Sequence, residues 1–303
     1  AITVMQIQSL SIVVPNKACI NRCPFCVSRM VKDADNWTLY ENLMDINHCT
    51  YDINVREYIK RLRFVADNGC QTIMLTGMSE PQQNKQFLAT FALIHQQIGS
   101  PFSNIEMQTT GFGLDDDPNY LRFLRNFVGV NTMCISVNAP DDFKNCEMLG
   151  HEPYKGHKTI PALQLKDLVG HLLDFRFNIR ICINLSDAFN EKSAQELFTW
   201  ARGHLYADQI TLRKLYTTTA KIQQNEWIRT HQPSKELLDD IDNYLANRKV
   251  LGRTPYGATI YEGWNCTIVY DKDCMGKNPE SDVKKFLILR PNCKLYSQWD
   301  SST

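Results

Sequence analysis

Short apolar segments alternate with amphipathic ones through the first 216 residues, and this alternation constrains the fold more than any other feature. The apolar segments have the composition of β-strands, and the segments between them repeat their apolar residues with the period of a helix. The predicted strands are 9–14, 71–76, 104–110, 132–138, 178–185 and 208–216, and the predicted helices are 55–68, 85–97, 118–127, 163–175 and 191–203. Alternating strands and helices are typical of α/β proteins with a parallel sheet. Six such repeats favour a partial, open (β/α)6 barrel, similar to part of a TIM barrel, over a doubly wound sheet.

The pattern changes after residue 217, which divides the chain into a predicted barrel at 1–217 and a small α+β extension at 218–303. In the extension we expect a helix at 234–247 and antiparallel strands at 258–262, 265–271 and 285–290. The last of these leads through Pro291 and Asn292 into a predicted hairpin. We expect the extension to pack across or beside the open edge of the barrel.

Four neighbouring strands are predicted to be polar on one face and aliphatic on the other. Successive side chains of a strand point to opposite faces, so residues of equal parity share a face. The polar set is Glu106, Gln108 and Thr110 on the third strand, Cys134, Ser136 and Asn138 on the fourth, Arg180, Cys182 and Asn184 on the fifth, and Thr211 and Arg213 on the sixth. Closed barrels fill their interior with aliphatic side chains. We therefore interpret this polar interior as the site, with an internal hydrogen-bond network that binds no ligand as the alternative.

Two long connections leave the carboxyl ends of predicted strands, at 27–54 and at 139–162. In barrel enzymes this end of the sheet carries the loops that build the active site. Long loops in compact domains are usually functional or disordered. We predict that both connections are lids over the site, with plain surface insertions as the alternative.

Three cysteines follow the first predicted strand with the spacing C-x3-C-x2-C, at Cys19, Cys23 and Cys26. Thiolates this close in sequence can bind one iron–sulphur cluster, which normally takes four. Three ligands leave one iron open to a non-protein group. A zinc loop and a reactive thiol pair are the alternatives; zinc would need a second close pair, and no other C-x2-C occurs in the sequence.

This motif, with Phe25 before its last cysteine, resembles the signature of the radical S-adenosylmethionine (radical SAM) superfamily. The resemblance implies the same (β/α)6 fold and a [4Fe–4S] cluster on the three cysteines. It also implies that S-adenosylmethionine is reductively cleaved on the open iron, so that a 5′-deoxyadenosyl radical abstracts a hydrogen atom from the substrate. An electron donor such as flavodoxin or ferredoxin is implied as a partner.

Further resemblances imply where S-adenosylmethionine binds. The segment 76–81 is similar to the Gly-Gly-Glu-Pro element of the superfamily, with Met78 and Ser79 in place of the second glycine. The segments 108–111 and 135–139 are similar to the third and fourth strands of several members, and Asn184 matches an asparagine of the fifth. The implied cofactor-binding residues are Phe25, Gly77, Met78, Ser79, Glu80, Pro81, Gln108, Thr110, Ser136, Asn138 and Asn184.

Two arginines on the polar face, Arg180 and Arg213, lie on adjacent predicted strands and can converge. Two buried guanidinium groups need counter-charges. We expect Glu106 to neutralise one, and we predict that the other binds an anionic or strongly polar group of the substrate. Alternatively, Arg180 binds the carboxylate of S-adenosylmethionine and Arg213 pairs with a surface acid. Cys182, on the same face, is a candidate hydrogen-atom donor or a small buried residue.

The other cysteines and the net charge limit the cofactors, the compartment and the binding partners that we expect. Cys266, Cys274 and Cys293 are a candidate auxiliary cluster, although their spacing is loose. An odd number of cysteines, eleven, cannot all form pairs, so we do not expect a disulfide framework. We expect the protein to lie in the reducing cytoplasm. The net charge of zero does not indicate binding to nucleic acid or to an anionic membrane. No secretion signal and no apolar run long enough for a membrane span is recognised.

These patterns predict a radical SAM enzyme that acts on a small polar substrate, such as a metabolite, a nucleotide or a sugar derivative. The first alternative is a peptide-modifying radical SAM enzyme with a C-terminal auxiliary cluster. The alternative of another class is a non-catalytic module that binds an iron–sulphur cluster or zinc.

Overall fold

The computed structural model describes residues 5–16, 19–27, 53–77, 79–114, 117–151, 163–219, 221–253, 258–272 and 283–299. The strands are β1 (Gln6–Ile7), β2 (Ser9–Val13), β3 (Thr72–Thr76), β4 (Asn104–Thr109), β5 (Thr132–Val137), β6 (Asn178–Leu185), β7 (Gln209–Lys214), β8 (Val250–Arg253), β9 (Thr259–Glu262), β10 (Thr267–Asp271), β11 (Val283–Lys284), β12 (Leu287–Leu289) and β13 (Leu295–Tyr296). The α-helices are α1 (Val55–Asp67), α2 (Lys85–Gln97), α3 (Pro118–Arg122), α4 (Asp142–Met148), α5 (Leu165–Asp174), α6 (Ala194–Gly203), α7 (Gln223–Thr230) and α8 (Lys235–Ala246).

Eleven of these strands form one sheet in the order β13-β12-β2-β3-β4-β5-β6-β7-β10-β9-β8. The six predicted strands, β2 to β7, are its consecutive, parallel centre. Among the described strands the sheet stays open, with β13 at one edge and β8 at the other. The predicted α/β fold with a partial, open barrel is confirmed.

Strands of the C-terminal segment extend this sheet at both edges. β10 pairs in parallel with β7, and β12 pairs in parallel with β2. The predicted hairpin is confirmed, because β12 and β13 are antiparallel, and so is the helix after residue 234, which is α8. The division into two units at residue 217 stays a prediction.

The helices pack against the aliphatic face of the sheet, as the alternation of the strands predicts. α6 shows how the sequence produces one of them: Ser193 and Glu196 form a reciprocal capping box at its start. Its buried residues Leu197, Phe198 and Ala201 repeat with helical spacing and join the core. The aliphatic residues of β4 to β7, among them Met107, Ile135, Ile181 and Leu212, are fully buried in the same core. The polar residues of these strands therefore lie on the other face of the sheet, away from the helices.

Three features of the fold were not predicted. The helix expected at 118–127 is α3 followed by a π-helical segment, Phe123–Val128. α4 lies inside the connection at 139–162, where Asp141 caps it by accepting a hydrogen bond from the Lys144 amide. α7 follows β7, where no helix was expected. The proposed lids stay a prediction, because 28–52 and 152–162, which make up most of the two connections, lie outside the described residues.

None of the helices in the described ranges combines the length and the apolar character that crossing a membrane requires.

Candidate active site

The register of the sheet stacks the polar residues in layers at the carboxyl ends of β4 to β7. Gln108, Cys134 and Arg180 lie side by side on adjacent strands, and Ser136, Cys182 and Thr211 form the next layer. Asn184 and Arg213 pair one layer above. Residues in register share a face of a parallel sheet. The predicted polar interior is therefore present.

A cavity of about 270 Å³ opens above these layers. Most of the predicted site residues line it: Cys19, Cys23, Phe25, Cys26, Gly77, Ser79, Glu80, Gln108, Thr110, Ser136, Asn138, Asn184 and Arg213. Pro81 is buried at the start of a short 3-10 turn rather than on the wall. Met78 lies outside the described residues. Arg180 and Cys182 are not on the wall, although they lie in the same layers as Gln108 and Ser136, which are.

The three thiols of the cysteine loop, residues 19–26, meet at one side of this cavity. Burial raises the pKa of Cys19 to about 11 and that of Cys23 well above its usual value, and charge on the neighbouring thiols adds to both shifts. Thiolates here would repel one another unless a cationic centre lies among them. This donor set fits an iron–sulphur cluster. Within the described ranges no three side chains converge closely enough for a single metal ion, whereas a cluster spaces its thiolates more widely because each binds a different iron.

Glu80 connects this loop to the sheet. Its buried carboxylate accepts hydrogen bonds from Asn21 Nδ2 at 2.9 Å, from Gln82 Nε2 at 2.9 Å, and from the hydroxyls of Thr109 and Thr110. Burial raises the pKa of Glu80, and these hydrogen bonds oppose the rise. The carboxylate is thus occupied by protein donors. A contact of this segment with S-adenosylmethionine stays a prediction.

The resemblance implies that S-adenosylmethionine fills the part of the cavity beside the cluster. Two polar features of the wall fit this polar cofactor. The Ser79 hydroxyl oxygen is buried on the cavity wall and has no hydrogen-bond partner among the residues that the structure describes. A buried hydroxyl without a partner is costly unless a ligand supplies one. Ser136 and Asn138 contribute further polar groups from β5 and the residue after it. Gly77 lines the cavity as well, and a Cβ there would lie 2.9 Å from the Val14 carbonyl oxygen, so glycine lets the turn approach the end of β2.

Asn138 and Asn184 hold each other in place across β5 and β6. Asn184 Nδ2 donates to Asn138 Oδ1 at 2.8 Å, and the Asn138 amide donates to Asn145 Oδ1 of α4 at 2.8 Å. α4 therefore braces the end of β5, which the sequence did not predict.

Arg180 has its polar partners within the protein. Its Nη2 lies 3.1 Å from Glu106 Oε1, and its Nε donates to Cys134 Sγ at 3.3 Å. Burial raises the pKa of Glu106 to about 7, against the opposing effect of Arg180. The expected pairing of Glu106 with one of the two arginines is confirmed as a contact. Arg180 has these partners and does not line the cavity, whereas Arg213 does; it is the arginine on the wall among the described residues.

Cys182 is fully buried beside Cys134, with which it shares a hydrogen bond. Neither thiol lines the cavity. This location matches the alternative of a small buried residue, and the role of hydrogen-atom donor stays a prediction.

α7 brings an unpredicted aromatic residue to the cysteine loop. The Trp227 ring lies 5.3 Å from the Phe25 ring and stacks on His231 at 4.1 Å. The opposite side of α7 faces a second, open cavity of about 780 Å³, which shares Lys214 and Leu215 with the first. Sequence reasoning missed this helix because its short polar segment has no strong helical signal.

Asn21 and His151 were also missed. His151 Nε2 lies 2.8 Å from Asn21 Oδ1, and its ring stacks on Phe112 at 3.5 Å. The two residues are 130 positions apart, and no local pattern marks either.

The candidate auxiliary cluster has no support. Cys266 precedes β10 beside Arg202 and Asp208, whereas Cys293 lies between β12 and β13, where its thiol faces the Asn54 carbonyl. These strands belong to opposite halves of the sheet. Cys274 lies outside the described residues.

Comparison with solved structures identifies the kind of fold that carries this site. SuiB from Streptococcus suis bound to S-adenosylmethionine is similar over 96% of this chain and 60% of its own length, with a TM-score of 0.56 and 11% identity. The protein anSMEcpe with bound AdoMet and the Cp18Cys peptide is similar over 79% of this chain and 60% of its own, with a TM-score of 0.52 and 11% identity. This chain thus spans less than two thirds of either structure.

Both similar structures are radical SAM enzymes. This chain has the fold of these radical SAM enzymes, which is the fold that the resemblance of its cysteine motif implies. No protein-family model and no curated protein matches its sequence.

Proposed function

We propose that the protein is a radical SAM enzyme that holds a [4Fe–4S] cluster on Cys19, Cys23 and Cys26 and abstracts a hydrogen atom from a small polar substrate. The observation that supports this most directly is the shared cavity. Three thiols from one loop face polar side chains from the ends of five separate strands, β3 to β7, although these segments are far apart in sequence.

When bound, the cluster and S-adenosylmethionine would supply one-electron reductive cleavage and hydrogen-atom abstraction. The protein's own part is to bind and to position. The three thiolates would hold the cluster, and Ser79, Ser136 and Asn138 would donate or accept hydrogen bonds to the cofactor. Phe25 and Trp227 cover the cysteine loop with apolar surface and would limit the access of water to the reacting groups.

The second cavity is the proposed place for the substrate. It lies against α7 and adjoins the first cavity at Lys214 and Leu215. Its wall carries Lys214 and Lys221, the ion pair of Arg229 with Glu226, and three threonine hydroxyls. Such a wall suits a polar substrate with an anionic group, and Arg213 faces the first cavity at the junction.

Anaerobic reconstitution tests this proposal. The protein should take up about four irons per chain and show a reducible cluster absorbance. After reduction it should convert S-adenosylmethionine to 5′-deoxyadenosine and methionine. Replacing Cys19, Cys23 and Cys26 together by alanine should abolish the cluster, whereas Cys70→Ala, which changes a buried thiol elsewhere, should keep it.

Two results would overturn the proposal. A triple variant that keeps its iron would show that the cluster is bound elsewhere. A wild-type protein that binds iron but never forms 5′-deoxyadenosine would favour the non-catalytic iron–sulphur module.

A peptide substrate is the second candidate. It is favoured by one observation, that anSMEcpe was solved with a bound peptide and shares this fold. A peptide-modifying enzyme with an auxiliary cluster would take up about eight irons per chain. The same iron measurement therefore distinguishes one cluster from two.

A further inference from the structure

We propose that Asn21 is a positioning residue for the iron–sulphur cluster. It joins the cysteine loop to Glu80 on one side and to His151 on the other, and so holds the loop in its cluster-binding conformation. This inference rests on the proposed function, because it assumes that Cys19, Cys23 and Cys26 are the cluster ligands.

The hydrogen bonds around Asn21 determine how its side-chain amide is oriented. Its Nδ2 donates to Glu80 Oε1 and to Thr110 Oγ1, each at 2.9 Å. An ionised carboxylate only accepts hydrogen bonds, so the nitrogen of the amide must face Glu80. The oxygen then faces His151 Nε2 at 2.8 Å. The ring nitrogen of His151 is consequently the donor, and stacking on Phe112 holds the ring.

Within the loop, Asn21 is the residue that turns inward. It is 7% exposed, whereas its neighbour Ile20 is 43% exposed. The backbone is anchored at the same place, since the Arg22 amide donates to the Leu149 carbonyl at 2.7 Å. A Cβ on Gly150 would lie 2.7 Å from the Arg22 carbonyl oxygen, so the two segments already touch.

The consequence for cluster binding follows from conformational entropy. A loop that must be ordered when a ligand binds loses affinity, because ordering its backbone costs free energy. The Asn21 contacts order the loop before the cluster is bound, and they come from the segments that follow β3 and β4 and from the segment after α4. Groups that orient metal ligands without binding the metal typically change the affinity by about 10- to 100-fold.

The test is Asn21→Asp, which keeps the shape of the side chain but puts a carboxylate against the carboxylate of Glu80. We expect the affinity of the cluster, measured as iron and sulphide retained against a chelator titration, to fall about 10- to 100-fold. The electron paramagnetic resonance spectrum of the reduced cluster should also change. Asn131→Asp is the matched control, because Asn131 hydrogen-bonds at the other end of the sheet, to Ser103 and Ile105; it should bind the cluster as wild type does.

A second variant distinguishes the specific contact from general damage to the loop. Glu80→Gln combined with Asn21→Asp exchanges donor and acceptor, so that residue 80 donates to residue 21. The double variant should regain about tenfold in cluster affinity over Asn21→Asp alone, the scale of one hydrogen bond to a charged group. If Asn21→Asp does not fold, His151→Phe keeps the ring and its stacking but loses the donor, and should still weaken cluster retention.

Two outcomes would refute the positioning role of Asn21. One is that Asn21→Asp, or His151→Phe in its place, retains the cluster with wild-type affinity and spectrum. The other is that the double variant regains nothing. Both require a wild-type protein that binds the cluster and cleaves S-adenosylmethionine, so they are distinct from failure of the proposed function.

Discussion

The buried pair of Glu106 and Arg180 predicts a specific pH dependence of stability. Burial raises the pKa of Glu106 from 4.5 to about 7, and Arg180 opposes this rise. The folded protein therefore binds the proton of the Glu106 carboxyl group more tightly than the unfolded chain does. The resulting stabilisation is fully present below about pH 4.5 and is lost as the pH rises through 7. At about 1.4 kcal/mol per pKa unit, the change is about 3 kcal/mol in the free energy of unfolding.

Glu106→Gln removes the titrating group and keeps the shape. We expect the difference in unfolding free energy between wild type and variant to change by about 3 kcal/mol between about pH 4 and pH 8, to the disadvantage of the wild type at high pH. Urea unfolding of the reduced apo-protein, followed by circular dichroism across this range, measures it. Subtraction of the two curves cancels the titration of groups that both proteins share.

Glu57→Gln is the control. A hydrogen bond from Lys60 lowers the pKa of this exposed residue, so its stabilising effect is present above the unfolded pKa and is lost as the pH falls. Its difference curve should slope in the opposite direction. If the difference curve of Glu106→Gln is flat, the carboxylate of Glu106 has an ordinary pKa and the reasoning is refuted.

Two further predictions concern ligand binding. Ser136→Leu should lower the affinity for S-adenosylmethionine about tenfold or more, because it fills the cavity and removes a polar group; unchanged affinity by calorimetry would remove Ser136 from the cofactor site. Arg213→Met should leave the affinity for S-adenosylmethionine within about twofold and lower substrate-dependent turnover about 10- to 100-fold, the scale of a charged hydrogen bond. A large loss of cofactor affinity in Arg213→Met would instead assign this arginine to S-adenosylmethionine.

Much of the fold is predictable because its signals are local. The strands β2 to β7 and the helices between them follow from periods of two and of 3.6 residues, which are properties of short segments. The polar face follows in the same way, since parity along a strand requires no knowledge of its neighbours. α4 and α7 were missed because each is short and lies in a polar stretch, where packing rather than periodicity decides that a helix forms.

The candidate site is predictable to the same extent. Cys19, Cys23 and Cys26 stand out because their chemistry and their spacing are both contained in eight residues. Arg180 and Arg213 carry the same charge on adjacent strands, yet the structure gives them different surroundings. Arg180 is paired with Glu106 and does not line the cavity, whereas Arg213 does. The alternation of side chains along a strand shows which face of the sheet a residue lies on, but not how near it lies to the carboxyl end of the strand. That position determines which arginine can contact a ligand.

The sequence alone determined the α/β class, the order of the central strands, the polar interior and the cysteine loop, because each depends on residues that are close along the chain. Only the tertiary structure decided that strands β10 and β12 extend both edges of the sheet, that Trp227 covers Phe25, and that Asn21 lies between Glu80 and His151. Each of these contacts joins segments that are far apart in sequence. Their pairing depends on the packing of the whole core, which no local pattern records.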